Sequence, residues 1–140
     1  MVVGQNSSIN PFIQHTTDGG ASWNAQTAPL PTGNGTVSSV CFATPKVGWA
    51  SVSSIYQSPA GSILHTTNGG DSWYVQANTN MHYNYFLDAP DTLHVAVVST
   101  QVLSPAGAKV FVSTNGGSGW SSTALPRSSH WVTTRPRCAT

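Results

Sequence analysis

The sequence predicts an all-β repeat fold, and three observations lead to it. Apolar and β-branched runs are short and broken throughout by Gly, Pro, Asn and Ser, with no helical apolar period. Five Trp, four Tyr and four Phe, together with many Val, favour packed sheet over a disordered polar chain, although only 6% of residues are charged. Finally, Ile13 to Trp23, Leu64 to Trp73 and Phe111 to Trp120 are versions of one segment. Its Asp or Asn stands at positions 18, 68 and 115, a period of roughly 50 residues that belongs to stacked sheet repeats.

The elements follow in order. In the first unit (1–27) Val2 to Gly4, Phe12 to Thr16 and Ser22 to Gln26 match the second, third and fourth strands of the repeat, with no first strand before them. The second unit (28–77) has strands at Val37 to Phe42, Gly48 to Val52, Ser62 to Thr66 and Ser72 to Gln76. Turns at Ala43-Thr44-Pro45-Lys46 and Thr67-Asn68-Gly69-Gly70-Asp71 and a loop containing Pro59 and Gly61 separate them. The third unit (78–125) repeats the plan with Tyr83 to Leu87, Leu93 to Ser99, Lys109 to Ser113 and Gly119 to Thr123, and with Asp88-Ala89-Pro90-Asp91 as its first turn.

The remaining residues (126–140) include Ser128 to Pro136, which matches Ser38 to Pro45 with one insertion and reads as a lone first strand. Four antiparallel strands in about 48 residues is the content of a β-propeller blade. The expected architecture is therefore about three blades per chain in circularly shifted register. Propellers usually close with four to eight blades, so a dimer closing a six-bladed ring is expected. Residues Ser129 to Thr134 of one chain would then pair beside Val2 to Gly4 of its partner and cover an otherwise sticky edge.

Composition excludes several classes of partner. Five Lys plus Arg against four Asp, no Glu and a net charge of +1 give no basic face for phosphate, so nucleic acid is not an expected partner. No segment has transmembrane length, and Met1 to Asn6 lacks the basic and long apolar regions of a signal peptide. The compartment is left open, with an exported setting favoured. Cys41 and Cys138 are too few and too far apart in sequence for a disulfide framework or a zinc site, and free thiols are expected.

The repeated segment carries Ser/Thr-x-Asp/Asn-x-Gly-x-x-Trp: Thr16, Asp18, Gly20 and Trp23; Thr66, Asn68, Gly70 and Trp73; Ser113, Asn115, Gly117 and Trp120. This resembles the Asp-box, or bacterial neuraminidase repeat. With the His-Thr-Thr lead-in and Val47-Gly48-Trp49-Ala50, the chain is most similar to propellers of the photosystem II stability and assembly factor type. The resemblance implies boxes on the propeller periphery and recognition of a protein partner. That family's binding surface is basic, whereas this chain has five Lys plus Arg.

The box chemistry is that of a folded turn. A short Asx side chain accepts from backbone amides two residues on, Gly takes positive φ and the indole fills the space beneath the hairpin. Asn at 68 and 115 keeps the acceptor and discards the charge, which a structural acceptor tolerates and a catalytic carboxylate does not. A sialidase needs a carboxylate-activated Tyr, an acid/base carboxylate and an arginine cluster; the chain lacks Glu, and Arg127, Arg135 and Arg137 lie together near its end.

Asp88 and Asp91 occupy a turn, where turn formation outweighs a two-carboxylate hydrolase. Among His15, His65, His82, His94 and His130 no His-x-His or His-x-x-x-His spacing occurs, and the counterpart of His15 and His65 is Val112, which points to packing rather than ligation. His82, Tyr83 and Tyr85 suggest strand residues or an aromatic surface for a sugar. The expectation is a non-enzymatic scaffold or protein-binding module with no cofactor, metal or catalytic residue, acting as a homo-oligomer. Alternatives are a glycan-binding propeller and a fragment of an Asp-box glycoside hydrolase.

Overall fold

A computed structural model describes residues 1–6, 8, 10–30, 35–54, 60–101 and 107–126. The described chain is all-β, with eleven strands and no helix. The first sheet holds β1 (Val2–Gln5), β2 (Pro11–His15) and β3 (Asn24–Ala25). The second holds β4 (Gly35–Phe42), β5 (Gly48–Ser54), β6 (Gly61–Thr66) and β7 (Tyr74–Asn78). The third holds β8 (Tyr83–Asp88), β9 (Val95–Gln101), β10 (Gly107–Ser113) and β11 (Ser121–Ala124). Within each sheet every strand pairs antiparallel with its neighbour in sequence, giving three meanders of three, four and four strands. This arrangement fits propeller-like blades.

Strand starts differ from the sequence reading in two consistent ways. The last strand of each sheet begins two residues late, at Asn24, Tyr74 and Ser121, because the residues before it still belong to the turn. β9 begins at Val95 rather than Leu93, because the Asp91 carboxylate accepts from the Leu93 and His94 amides at 2.7 and 2.8 Å and prolongs the turn. The expected strand Ser129 to Thr134, with Arg127, His130, Arg135 and Arg137, lies outside the described residues, as does Pro59. The free-thiol expectation is corrected. Cys41 is disulfide-bonded, and the sequence's other cysteine, Cys138, lies outside the described residues.

The second sheet is apolar on both faces and is covered on both. Toward the first sheet, Val37, Ala50, Val52, Leu64 and Trp73 cluster with Ile13, Met1 and Val3. Toward the third, Cys41, Ala43, Trp49 and Ile63 cluster with Leu87, Ala89, Val95 and Val97. All seven residues of β5 are buried as a result. A bulge between Val37 and Ser39 lets Val37 and Cys41, both on β4, serve opposite faces.

Asn84 on β8 is a fully buried polar residue at the second seam and uses every group it has. Its amide nitrogen donates to the Val52 carbonyl at 2.6 Å, its side-chain oxygen accepts from Thr79 and Ser99, and its backbone N–H donates to Ser53 Oγ at 2.9 Å. A buried polar group with all partners met locks relative position, because any slip strands several groups without water. Asn84→Ala should therefore destabilise the protein by about 3 kcal/mol or more, since each buried group left unpaired costs roughly 1–3 kcal/mol. Urea unfolding followed by tryptophan fluorescence measures this, and a change below about 1 kcal/mol contradicts the assigned role.

Candidate functional site

The three repeated turns join β2 to β3, β6 to β7 and β10 to β11, and they are built alike. In each, one hydroxyl accepts from two amides: Thr16 from Asp18 and Gly20 (3.3 and 2.8 Å), Thr66 from Asn68 and Gly70 (3.4 and 3.0 Å), Ser113 from Asn115 and Gly117 (3.4 and 2.7 Å). The same hydroxyl donates to the Asx oxygen at 2.7, 2.8 and 3.0 Å. That oxygen then accepts from the amide of Ser22, Ser72 or Gly119 at 2.9, 3.1 and 2.8 Å. The Asx side chain thus spans four residues, correcting the expected two. Both glycines of each pair take positive φ, from 67° to 99°, a conformation that side chains with a Cβ resist.

Asp18 and the two asparagines fill one role with different chemistry. The Asp18 carboxylate also accepts from the Ser22 hydroxyl, and these bonds, with those from the Ser22 amide and Thr16, hold its pKa far below the usual carboxylate range. Asn68 instead donates its amide N–H to Ser72 Oγ at 2.9 Å. A serine hydroxyl both donates and accepts, so it serves either partner. The turn needs the oxygen and not the charge.

The first glycine of the turn also docks onto the opening turn of its own sheet. Gly69 N–H donates to Lys46 O at 2.9 Å and Gly116 N–H to Leu93 O at 2.8 Å. The second glycine faces the preceding sheet: a Cβ on Gly70 would meet the Met1 side chain, and one on Gly117 the Gln76 side chain. The three indoles are placed differently. Trp73 is 5% exposed and meets Phe42 edge-on at 5.9 Å, Trp120 is half-buried with its indole N–H donating to Gly117 O, and Trp23 is 41% exposed. The Trp23 and Trp73 rings both lie against the second glycine of their own turn, 3.7 and 3.5 Å from where its Cβ would stand, so the difference in exposure comes from what lies beyond the turn.

Beside the second turn lies a cluster that the sequence reading did not single out. Trp49 stacks on His65 with ring centroids 4.7 Å apart, and its indole N–H donates to Gln76 Oε1 at 2.8 Å. The Gln76 amide donates to Gly116 O at 2.8 Å and to His65 Nδ1 at 3.2 Å, and the Tyr74 hydroxyl also meets that nitrogen. Two donors on Nδ1 place the ring proton on Nε2, which is buried without a partner. Gln26 and Gln76 share a repeat position, which was the available signal. In the first sheet the register Gly4 opposite Phe12, matching Val52 opposite Ser62, puts Met1 where Trp49 stands. The methionine side chain has no N–H to offer, and Gln26 Oε1 is buried without a donor.

The other candidates stand apart from the three turns. His82 is buried, with Nδ1 unpartnered; Tyr83 and Tyr85 stack at 5.5 Å on β8; and His94 pairs with Asp91 at 2.8 Å in an exposed turn. Backbone and side-chain bonds from His94 hold Asp91 below the usual carboxylate range. Among the described residues no three His, Cys, Asp or Glu are grouped as metal ligands, and no helix is long and apolar enough to cross a membrane. Comparison with known proteins finds no matching family model, no matching curated protein and no matching solved structure.

Trp73→Ala should cost about 3–5 kcal/mol, the range for deleting a large buried aromatic, whereas Trp23→Ala in an isolated chain should cost under about 1 kcal/mol. Equal losses in denaturant titrations contradict the difference in burial. Desolvation lowers the His65 pKa below 6.5, so the unfolded chain takes up the proton first and stability is lost as pH falls through the ordinary histidine value. His65→Val, which installs the residue found at 112, should flatten the melting temperature between pH 7.5 and about 5.5. Asp18 and Asp91 act only at lower pH, so a slope that persists in this variant rules out His65 as its source.

Proposed function

We propose that this chain is a non-enzymatic propeller segment of Asp-box blades, a scaffold for protein recognition that closes as a homodimer. The observation that carries the reading is the internal use of the box's polar groups. Hydroxyl and Asx oxygen serve the turn's own amides in all three copies, which leaves them engaged rather than poised for substrate. Box residues Thr16, Asp18, Gly20, Trp23, Thr66, Asn68, Gly70, Trp73, Ser113, Asn115, Gly117 and Trp120 are on this reading structural. The resemblance to assembly-factor propellers favours a protein partner over a glycan, and the disulfide at Cys41 favours an oxidising, exported compartment.

Closure is supported by the strand count. Among the described residues the first sheet has three strands where the others have four, and β1 lies at its edge. An edge of this kind invites pairing, and the segment 128–136 has the sequence of the missing first strand. Light scattering should give the mass of two chains for the full-length protein and of one chain after removal of residues 128–140; a stable full-length monomer overturns the ring. Chromogenic sialosides and β-glucans should not turn over. Turnover lost in Asp88→Asn or Asp91→Asn identifies a hydrolase instead, and binding on a glycan array with no protein captured in pulldown identifies a lectin.

A further inference from the structure

Among the described residues two sheet faces are left over at the ends of the stack, one of each kind. At both internal seams a sheet offers its trailing face to the leading face of the next. The first sheet offers Met1, Val3 and Ile13 to Ala50, Leu64 and Trp73; the second offers Trp49 and Ile63 to Val95, Val97 and Trp120. In each case the tryptophan of the repeated turn belongs to the leading face and lies in the seam. Side chains alternate along strands, and paired residues share a face. With Val3 and Ile13 turned inward, the open leading face of the first sheet carries Val2 and Phe12, with Trp23 as counterpart of Trp73. With Val95 and Val97 turned inward, the open trailing face of the third sheet carries Val98, Val110 and Phe86, which the register places side by side.

We infer that the open leading face of the first sheet docks on the open trailing face of the third sheet of a second copy of this chain. Trp23, 41% exposed, fills the seam there as Trp73 and Trp120 fill the internal seams. Exposure supports this assignment: Trp23, Val2 and Phe86 are 41%, 41% and 38% exposed, whereas Trp73 is 5% exposed and Val97 and Leu87 are 0%. The occupant is a second copy because the surface each face requires already exists on the other end of the same molecule, repeated from an established interface. The contact is heterologous, so two copies close a ring through two equal seams. This inference rests on the ring reading above and adds to the pairing of the 128–136 strand a face that must be buried with it.

Both faces can be tested separately and then together. Trp23→Asp and Phe86→Asp alter exposed side chains; each should keep its sheet circular dichroism and sediment as one chain where the wild type sediments as two. An equimolar mixture of the two variants should regain a two-chain species, because each retains the face that the other lacks. A second measurement does not depend on tolerance of a charge. The first seam pairs Thr27 with Ser72 in a parallel bridge, and the matching positions across the new seam are Ala124 and Ser22, both exposed. The double variant Ser22→Cys with Ala124→Cys should form a covalent dimer on a non-reducing gel, and neither single variant should. No cross-link, or no rescue on mixing, overturns the docking. If both charge variants remain dimeric and only removal of residues 128–140 yields monomers, the strand alone holds the ring and the face is refuted. A monomeric wild type without a cross-link refutes the ring as well as the face.

Discussion

A meander of three or four strands that is apolar on both faces cannot be stable alone, and the whole arrangement of this chain depends on that constraint. Burial of both faces requires a neighbour on each side, which the second sheet has. Trp49 and Ile63 point one way, Ala50 and Leu64 the other, and the complete burial of β5 follows. At roughly 25 cal/mol per Å² of apolar surface, such faces contribute most of the favourable energy, and that contribution is available only through stacking. Apolar contact sets no register by itself. The buried Asn84 supplies it at the second seam, where carbonyls and hydroxyls from both sheets converge on one amide.

The repeated turn answers a different requirement. A hairpin that carries two consecutive glycines at positive φ is costly to order, because glycine loses more conformational freedom on folding than other residues. The single hydroxyl at position 16, 66 or 113 collects two amides and hands its own proton to the Asx oxygen, so that six or so residues are fixed by two short side chains. The positive φ is what requires the glycines; at Gly70 and Gly117 a Cβ would in addition displace the ends of the Met1 and Gln76 side chains. Tolerance of Asn for Asp follows from the hydrogen-bond arithmetic: the turn uses an acceptor, and Ser22 or Ser72 adapts to whatever the other atom of the Asx group provides.

The seams are alike in plan and unlike in detail. At the second, Gln76 joins Trp49, His65 and the Gly116 carbonyl; at the first, Met1 replaces Trp49 and Gln26 is left with a buried oxygen. A backbone link takes over there, with Trp73 N–H donating to Thr27 O at 3.0 Å. Equivalent positions in a repeat keep their place in the stack while their chemistry drifts, because the strand pairing and not the side-chain network sets the spacing.

Residue pattern alone carried the strands and turns. Alternation, Gly-Gly turns and the recurrence of Thr16, Thr66 and Ser113 are local, and local geometry follows from them wherever the segment sits, so β4 to β6 and β8 fall within two residues of the positions read from sequence. Sequence does not show the start of β9, because the Asp91 side chain caps beyond the turn signal, nor the four-residue reach of the Asx oxygen, because spacing gives no direction to a lone pair. The disulfide at Cys41, the burial of Trp73 against the exposure of Trp23, and the seam chemistry of Gln76, His65 and Asn84 were decided by tertiary structure. Those properties depend on which sheet face meets which: at equivalent positions of the repeat, Trp73 is covered by the first sheet and Trp23, among the described residues, has no sheet against it.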